Sequence, residues 1–462
     1  MDEMEGTLTQ TLIRHVLDVD YGDLPAAAIL AQKNSMADML AVMLAATGLD
    51  TASAPFAAFA AAEGRGRCTL LGRGEKTSPA LAALANGALV HALDYEDSHE
   101  TATVHPNSAA LPALMALSQH LGGVSGRRFL TAMALASDIC CRLDLGVKED
   151  LLRYGWNMPP IHGSMGAVFG AGKLLGLDAG QISDAVALDM CQATCTGEAA
   201  NSAGSALRTI REGFAAQAAV QSALLARAGV PARLDAPLEG KLGYYHMYAR
   251  DDYAPEKVLD GLGTVFQGAY ISFKPWPSCR ATHTSIEGVL ALMEEHAVAP
   301  EEVREIHIVL QEIGRMVTEP REAKYRPRSA AVAKFSLPFV VGTAVVYGAV
   351  GLDSFTAERL SDPAVSSVAD RVVCEIDPSL TKEQNKHTDI TIRTARGDFH
   401  RHLEHPLGCV ERPMGRERMR RKFFDCAAAA RRPVGRERLE QIYETIFRLE
   451  ELEDVGALFA LL

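Results

Sequence analysis

The apolar residues of the first 265 positions recur at helical spacing, every three or four residues, and almost nowhere alternate as in a strand. Residues 7–48 contain two such stretches. Further helical patterns follow at residues 78–92, 109–121, 129–145, 163–177, 180–195 and 205–229. The first large part of the chain is therefore predicted to be all-helical.

Residues 154–162 interrupt this pattern. Pro159 and Pro160 are predicted to stop a helix, because proline lacks a backbone donor and clashes with the preceding turn. The next predicted helix, 163–177, carries Gly163, Ala167, Gly170 and Ala171 on one side. Such small residues let helices approach closely. The rival interpretation, a phosphate-binding loop, would need a GxGxxG or GxxxxGK[ST] motif after a strand, and no such motif occurs.

The pattern changes near Phe266. Residues 303–312 alternate between apolar and polar side chains, which predicts a strand. Shorter strand patterns occur at 372–376, 388–393 and 399–402, with a hairpin turn predicted between the last two. Helical patterns at 284–295 and 337–347 interleave with them. This part is predicted to be a smaller α+β domain.

The predicted fold class is mostly α, with a large all-helical domain and a smaller α+β lid domain. A chain of 462 residues is too long for a single core. We predict a helical domain at 1–268, the lid at 269–405, and C-terminal helices at 406–462 that return to the helical domain. The apolar end of the chain, 455–462, is expected to dock on that domain.

Composition excludes several classes of protein. Lys and Arg number 46 and Asp and Glu 58, a net charge of −12, which argues against a nucleic-acid-binding protein. Nine scattered cysteines without a CxxC pair argue against a disulfide framework and favour a reducing cytoplasm. The N-terminus is acidic where a signal peptide would be basic, and no apolar run near it is long enough to span a membrane.

The first candidate for chemistry is the polar stretch 91–112, HALDYEDSHETATVHPNSAALP, between two apolar helical segments. Asp94, Asp97 and Ser98 would face one way if they formed a helical turn, and His105 follows shortly after. A carboxylate, a hydroxyl and an imidazole suit proton abstraction beside a carboxylate and loss of water. Two alternatives stay open: an ordinary solvated loop, and a metal site built from His91, Asp94, His99 and His105, although no HExxH motif is present.

The second candidate is residues 274–283, KPWPSCRATH. Prolines on both sides of Trp276 stiffen it. Lys274, Arg280 and His283 are cations suited to carboxylate oxygens, and arginine can bind them in fork geometry. The alternative is a basic turn between domains. We interpret Cys279 as part of the wall of the site.

Five ordered motifs make the chain resemble the MmgE/PrpD family, which includes 2-methylcitrate dehydratase, cis-aconitate decarboxylase and iminodisuccinate epimerase. They are HALDYEDSH…HP, YGW…GKLLGLD, EGFAAQAAVQSALLARAG, KPWPSCRATH and AKFSLPF, and they span nearly the whole chain. The resemblance implies a helical domain with an α+β lid, an active site between them, a homodimer, and neither metal nor organic cofactor.

The resemblance also implies site residues. Asp94, Ser98 and His105 match the family's Asp, Thr/Ser and His, and Lys274 matches its lid lysine. Arg280 and His283 match positions that commonly carry these residue types.

Two positions depart from the family pattern. The family histidine after Gly-Trp corresponds here to Asn157, and a family lysine corresponds to Arg208. Asparagine cannot shuttle protons near neutral pH, and arginine stays protonated but binds carboxylate well. His162, five residues after Asn157, is a candidate substitute for the missing histidine, or else a structural residue.

We predict a cofactor-independent lyase, a dehydratase or decarboxylase, acting on a small di- or tricarboxylate. His105 would transfer the proton, Asp94 would orient it or share the transfer, and Ser98 would hydrogen-bond substrate. Substrate carboxylates would be held by Arg208, Lys274 and Arg280, with Asn157 positioning the substrate.

Three alternatives stay open: an isomerase or epimerase, a specialised biosynthetic enzyme of the family, and a non-catalytic metabolite-binding member. No nucleic-acid or membrane partner is expected.

Overall fold

The computed structural model describes residues 6–202, 205–381 and 384–462. Its contacts divide the chain into two compact units. Unit 1 comprises residues up to Ala92, Glu96–Ile271 and Glu417–Leu462, and unit 2 comprises Leu93–Tyr95 and Ser272–Arg416. The predicted boundaries after residues 268 and 405 stay a prediction.

Helices are the main secondary structure of the first 271 residues. The longer helices are Leu8–Asp18, Ala26–Leu49, Ala54–Glu63, Pro79–Val90, Ala110–Leu121, Gly126–Leu145, Met158–Leu175, Ala179–Met190 and Glu212–Arg227. Short helices are Glu198–Asn201, Leu207–Ile210, Tyr244–Ala249 and Pro255–Leu259, and the short strands are β1 (Cys68–Thr69), β2 (Lys76–Thr77), β3 (Ser98–His99) and β4 (Ile271–Ser272). β1 and β2 pair antiparallel.

The chain becomes helical again near its end. The helices are Gly415–Ala428, Arg436–Phe447 and Gly456–Phe459. Leu458 and Phe459 are fully buried, and the Phe459 ring meets Phe129 edge-on at 5.7 Å between centroids. The C-terminal apolar residues therefore pack into unit 1.

The predicted helix stop at the two prolines is wrong. The helix begins at Met158, so Pro159 and Pro160 lie in its first turn. Proline is tolerated there because the first N–H groups of a helix have no intrahelical acceptor. Further along, a Cβ on Gly170 would lie 2.7 Å from the carbonyl oxygen of Ala132 on helix Gly126–Leu145, and one on Gly166 would lie 2.4 Å from that of Ala136. The two helices therefore pack backbone against backbone, as expected from Gly170.

Unit 2 is built on a four-stranded sheet ordered β6-β5-β7-β8. Its strands are β5 (Glu305–Leu310), β6 (Val372–Ile376), β7 (Thr388–Thr394) and β8 (Gly397–Leu403), close to the predicted bounds. β5 runs parallel to β6 and antiparallel to β7, and β7–β8 is the expected hairpin. β5 alternates as predicted, with Ile306, Ile308 and Leu310 buried.

The helices of unit 2 are His283–Glu295, Arg315–Thr318, Arg321–Tyr325, Ala330–Lys334, Leu337–Tyr347, Ala357–Leu360 and Pro363–Ala369. The first of them and Leu337–Tyr347 contact strands of this sheet. A Cβ on Gly288 would lie 2.1 Å from Cδ1 of Ile390, so glycine sets how closely the first of these helices approaches β7. The core of unit 2 joins Ile286 and Val289 to the isoleucines of the sheet.

The length and composition of the helices bear on whether any of them could cross a membrane. Among the described residues, no single helix combines the length and apolar composition needed to cross a membrane, although one sharply bent pair, Ala26–Leu49 with Ala54–Glu63, meets both criteria together.

Candidate active site

Residues 91–105 form a loop of turns, held between the end of helix Pro79–Val90 and the start of helix Ala110–Leu121. The hypothesis of a helical turn is wrong. Asp94 has φ 51°, in the left-handed region, and its backbone therefore cannot continue a right-handed helix. The contacts of the chain assign Asp94 to unit 2 and Asp97 to unit 1.

Within unit 1, the loop brings a buried carboxylate against two histidines. Glu96 Oε1 lies 3.0 Å from Nδ1 of His105 and 2.5 Å from Nδ1 of His91. The two imidazole rings are 4.7 Å apart. Nδ1 of His105 also lies 2.8 Å from the carbonyl oxygen of Asp97. Both acceptors assign the proton to Nδ1, which leaves Nε2 as the basic nitrogen of the ring.

His105 is the more accessible member of this group. Its side chain keeps 16% exposure, whereas Glu96 is fully buried and His91 nearly so. A part-exposed imidazole oriented by a buried carboxylate is the arrangement that general acid–base catalysis uses. Sequence reasoning did not select Glu96 as a site residue, because no regular spacing connects it to His105.

The same three residues offer ligand atoms to a cation. Their ligand atoms lie within 4.8 Å of one another, so His91, Glu96 and His105 form a possible metal-binding group. His99, which the metal alternative included, has another role. Its Nδ1 accepts hydrogen bonds from the backbone N–H groups of Thr101 and Ala102, and burial lowers its pKa. His99 therefore closes a tight turn as a neutral ring.

Asp97 is a fully buried carboxyl. Its Oδ2 accepts hydrogen bonds from Ser35 Oγ at 2.5 Å and from Asn107 Nδ2 at 3.0 Å. Burial raises its pKa to about 7, against the lowering effect of these two donors. This carboxyl ties the loop to helix Ala26–Leu49.

Ser98 lies in β3 and is buried. Its Oγ has no hydrogen-bond partner in the described parts of the chain. A buried hydroxyl without a partner is uncommon and calls for one. This supports the predicted role of Ser98 in binding a ligand.

His162 is fully buried in helix Met158–Leu175, with both ring nitrogens directed at protein groups. Tyr244 donates its hydroxyl to Nδ1 at 2.7 Å, and burial holds the pKa of that tyrosine well above its usual value. Nε2 lies 3.3 Å from the carboxylate of Asp144, which also accepts the backbone N–H of Thr103 at 2.9 Å. His162 thus supports the loop that carries His105.

Asn157 and Arg208 lie on other elements of unit 1, and both are half-buried. Asn157 caps the start of helix Met158–Leu175, and its backbone N–H bonds to the carbonyl of Cys195. Arg208 lies in the short helix Leu207–Ile210, and its carbonyl accepts from Arg211. Beyond Arg211, Glu212 accepts a hydrogen bond from Ser108 Oγ at 3.0 Å, a contact that sequence reasoning missed.

Within unit 2, Lys274 and Asp94 form a buried ion pair. Lys274 Nζ donates to the Asp94 carboxylate and, at 3.1 Å, to the Asp94 carbonyl. Tyr95, the next residue, donates its hydroxyl to the carbonyl of Pro275 at 3.0 Å. The structure therefore brings together two of the three residues predicted to be catalytic.

Arg280 and His283 are also buried in unit 2. Arg280 donates to the carbonyl of Leu407 at 2.8 Å and to Nδ1 of His283 at 3.2 Å. Nε2 of His283 donates to the carbonyl of Ser278 at 3.1 Å, and Trp276 packs edge-on against the ring. These contacts hold the 274–283 segment in shape.

A cleft of about 650 Å³ in unit 1 contains none of the predicted site residues. Its lining includes Arg67, Lys76, Arg432 and Arg438. The cleft has the shape of a binding site, but the loop at 91–105 contains the oriented imidazole of His105 and the buried carboxylates of Glu96 and Asp97. We therefore place the candidate active site at the loop.

Both halves of the chain match domain models of one known protein family. The N-terminal domain of MmgE/PrpD matches residues 10–256, and the C-terminal domain matches residues 276–447. The chain belongs to the MmgE/PrpD family. The membership predicted from the five motifs is confirmed.

The similar curated proteins cover most of this MmgE/PrpD chain. A cis-aconitate decarboxylase-like protein of Aspergillus oryzae, oryM, is 26% identical over 99% of this chain and 98% of its own. Cis-aconitate decarboxylase of Aspergillus terreus is 25% identical over 86% and 84%, and that of Mus musculus is 27% identical over 85% and 80%. These relatives support the prediction of a lyase at the level of the family.

Proposed function

We propose that this protein is a decarboxylase of the MmgE/PrpD family that acts on a small unsaturated di- or tricarboxylate of the cis-aconitate type. The observation that carries the proposal is the pair formed by part-exposed His105 and buried Glu96, 3.0 Å apart. The names of the relatives, which are cis-aconitate decarboxylases, supply the substrate class.

The chemistry of such a reaction defines the role of each group. When the carbon–CO₂ bond breaks, its electron pair moves into the neighbouring unsaturated carboxylate system, and a carbon atom must then accept a proton. His105 Nε2 is the group that we assign to this transfer, with Glu96 stabilising the protonated imidazole through Nδ1. The proposal needs neither a metal nor an organic cofactor.

We assign the groups that bind the substrate from their charge and burial. Ser98 would donate its buried hydroxyl to substrate, since this hydroxyl has no partner in the described chain. Arg208, half-buried, would bind a substrate carboxylate in fork geometry. For Asp94 and Lys274 we propose a shared role, because each neutralises the other's buried charge.

The substitution of a family histidine by Asn157 supports a second candidate, an isomerase or epimerase. Such an enzyme removes a proton from a carbon beside a carboxylate and then returns a proton to the same carbon. No group leaves the substrate in this reaction, so no second histidine is needed to assist one. An amide at position 157 can bind substrate and cannot exchange protons.

One experiment separates these functions. The purified protein is incubated in D₂O with cis-aconitate, citrate, 2-methylcitrate and iminodisuccinate, and the products are followed by NMR and by CO₂ release. The proposal predicts stoichiometric CO₂ from cis-aconitate or a close analogue, with one deuterium in the product. Exchange of a C–H without CO₂ would favour the isomerase, and water loss would favour a dehydratase. No turnover and no exchange with any of the four would contradict both enzymatic candidates.

His105→Ala is the matched variant for this experiment. Loss of an acid–base residue lowers turnover by about 10²–10⁴-fold. Exposed His246, which pairs with Asp251 elsewhere in unit 1, is the control, and His246→Ala should retain full activity. Equal activity of the two variants would overturn the assignment of His105.

A further inference from the structure

A second group of histidines and carboxylates lies on the exposed hairpin of unit 2, in a different part of the chain from His105. In β8, His400 and His402 alternate with Arg401 and so share one face. The register pairs Asp389 of β7 with His402, which places Asp389 on that same face. His387 precedes β7 by one residue and Glu404 follows β8 by one residue.

Three of these side chains converge. The ligand atoms of His387, His402 and Glu404 all lie within 4.8 Å of one another. His402 Nε2 is 3.6 Å from Glu404 Oε1, and the rings of His387 and His402 are 5.8 Å apart at a nearly perpendicular angle. Two imidazoles and a carboxylate are a common three-residue set for Zn²⁺, which takes a water molecule as its fourth ligand.

Asp389 provides an independent indication. Its Oδ1 lies 3.1 Å from Nδ1 of His402, so the proton of this ring is held on Nδ1. The lone pair of Nε2 then points to the side where Glu404 lies. A carboxylate that orients a metal-binding histidine in this way is the usual outer partner of zinc sites. The same Oδ1 lies 3.1 Å from Nε2 of His400, which occupies that histidine with Asp389.

We propose that His387, His402 and Glu404 form a binding site for Zn²⁺ or a similar divalent transition metal, with Asp389 positioning His402. β8 is the edge strand of the sheet, and the three side chains are at least partly exposed, so an ion can enter from solvent. Imidazole nitrogens favour transition metals over Mg²⁺ or Ca²⁺, which prefer oxygen ligands. This proposal does not depend on the proposed decarboxylase activity.

The test uses the full chain without a histidine tag, freed of metal by chelation. Zn²⁺ is titrated against a chromophoric chelator, and the stoichiometry and dissociation constant are measured. We expect one equivalent of Zn²⁺ that Mg²⁺ does not displace. His402→Ala should weaken binding by at least about tenfold, and Asp389→Asn by about 10–100-fold, as outer-partner mutations do.

His246→Ala provides the matched control, because His246 is exposed and also lies beside an aspartate, 2.7 Å from Asp251. It should bind Zn²⁺ like the original protein. Thermal unfolding of each variant without metal checks that the hairpin still folds. His105→Ala and Cys409→Ser test the two other groups of ligand-type residues. The proposal would be overturned if the protein failed to bind Zn²⁺ or if His402→Ala bound it as tightly as the original protein. It would also be overturned if His105→Ala or Cys409→Ser no longer bound one equivalent of Zn²⁺.

Discussion

Glu96 accepts from His105 at 3.0 Å although the two residues lie nine positions apart in an irregular loop. The carboxylate is fully buried, whereas the imidazole keeps contact with solvent. The contact directs Nδ1 of His105 toward the buried carboxylate and leaves Nε2 as the nitrogen that we propose to be reactive. The charge of Glu96 should therefore affect turnover.

Glu96→Gln should lower kcat by at least about tenfold and change KM little. The amide keeps the size of the side chain but removes the charge that stabilises the protonated imidazole, an effect felt in the transition state. Steady-state kinetics with the substrate that the D₂O incubation identifies provides the measurement. A KM effect without a kcat effect would show that Glu96 only shapes the binding site.

The catalytic group is expected to work without a bound metal. Dialysis against EDTA should leave turnover unchanged, because the proposed steps need only proton transfer and fixed charges. Activity and metal content are measured on the same sample, before and after chelation. If activity falls and returns with added Zn²⁺ or Mn²⁺ in the original protein and equally in His402→Ala, the His91–Glu96–His105 group holds a metal and the proton-transfer assignment is wrong.

The Lys274–Asp94 pair should be strongly coupled. Either Asp94→Asn or Lys274→Met leaves one buried charge without its partner, which typically costs about 3–5 kcal/mol in unfolding free energy. The double variant should cost less than the sum of the two single variants, as measured by urea unfolding. Glu451→Gln, which breaks an exposed pair with Arg448, is the control and should cost about 1 kcal/mol or less. Additive effects at positions 94 and 274 would contradict the coupling.

The stability contributed by two buried carboxyls should fall as pH rises from about 4 to about 7. Burial raises the pKa of Asp97 to about 7, and that of Asp189, which bonds to Ser164, also to about 7. The unfolded chain loses these protons near pH 4, so the native state binds more protons between pH 4 and 7. Native stability contributed by the neutral carboxyls is therefore present below pH 4 and lost by about pH 7.

The measurement is urea unfolding at pH 5 and pH 8. Asp97→Asn should reduce the loss of stability between these pH values by an amount on the order of a few kcal/mol. Exposed Asp18→Asn serves as the control and should leave the pH dependence unchanged. An identical pH dependence for the Asp97 variant would show that this carboxyl is already ionised at pH 5.

Gly166→Ala should destabilise unit 1 by about 1–3 kcal/mol. The added methyl would meet the carbonyl oxygen of Ala136 at 2.4 Å and force two buried helices apart. Gly22→Ala, where no atom lies within 4 Å of the new Cβ, is the control and should be neutral or slightly stabilising. The measurement is the midpoint of thermal unfolding of both variants. Equal midpoints would show that the two helices can move apart without loss of unfolding free energy.

Periodicity was sufficient for the elements that bury one regular face. The alternation in β5 and the helical pattern of Leu337–Tyr347 depend only on neighbouring residues, and both appear at or near their predicted bounds. Pro159 and Pro160 were misread because the same residue type ends a helix or begins one, and only the position of the first hydrogen bond distinguishes the two.

In the candidate site, too, the sequence predicted some features and the tertiary structure was needed for others. Motifs selected His105, Asp94 and Lys274, since residue type and order along the chain are visible in a sequence. The contact of Asp94 with Lys274 spans 180 positions, and Glu96 meets His105 within an irregular loop. Neither follows from spacing, because an irregular loop has no fixed period.

The amino-acid sequence alone determined the family, the mostly helical fold and the residue types available for chemistry, since these follow from local periodicity and from ordered motifs. Only the tertiary structure decided which carboxylate orients His105, that Asp97 is buried with Ser35 and Asn107, and that His387, His402 and Glu404 converge at a sheet edge. Burial and distance between remote side chains arise from packing of the whole chain, and packing is what fixes the protonation and the partner of each polar group.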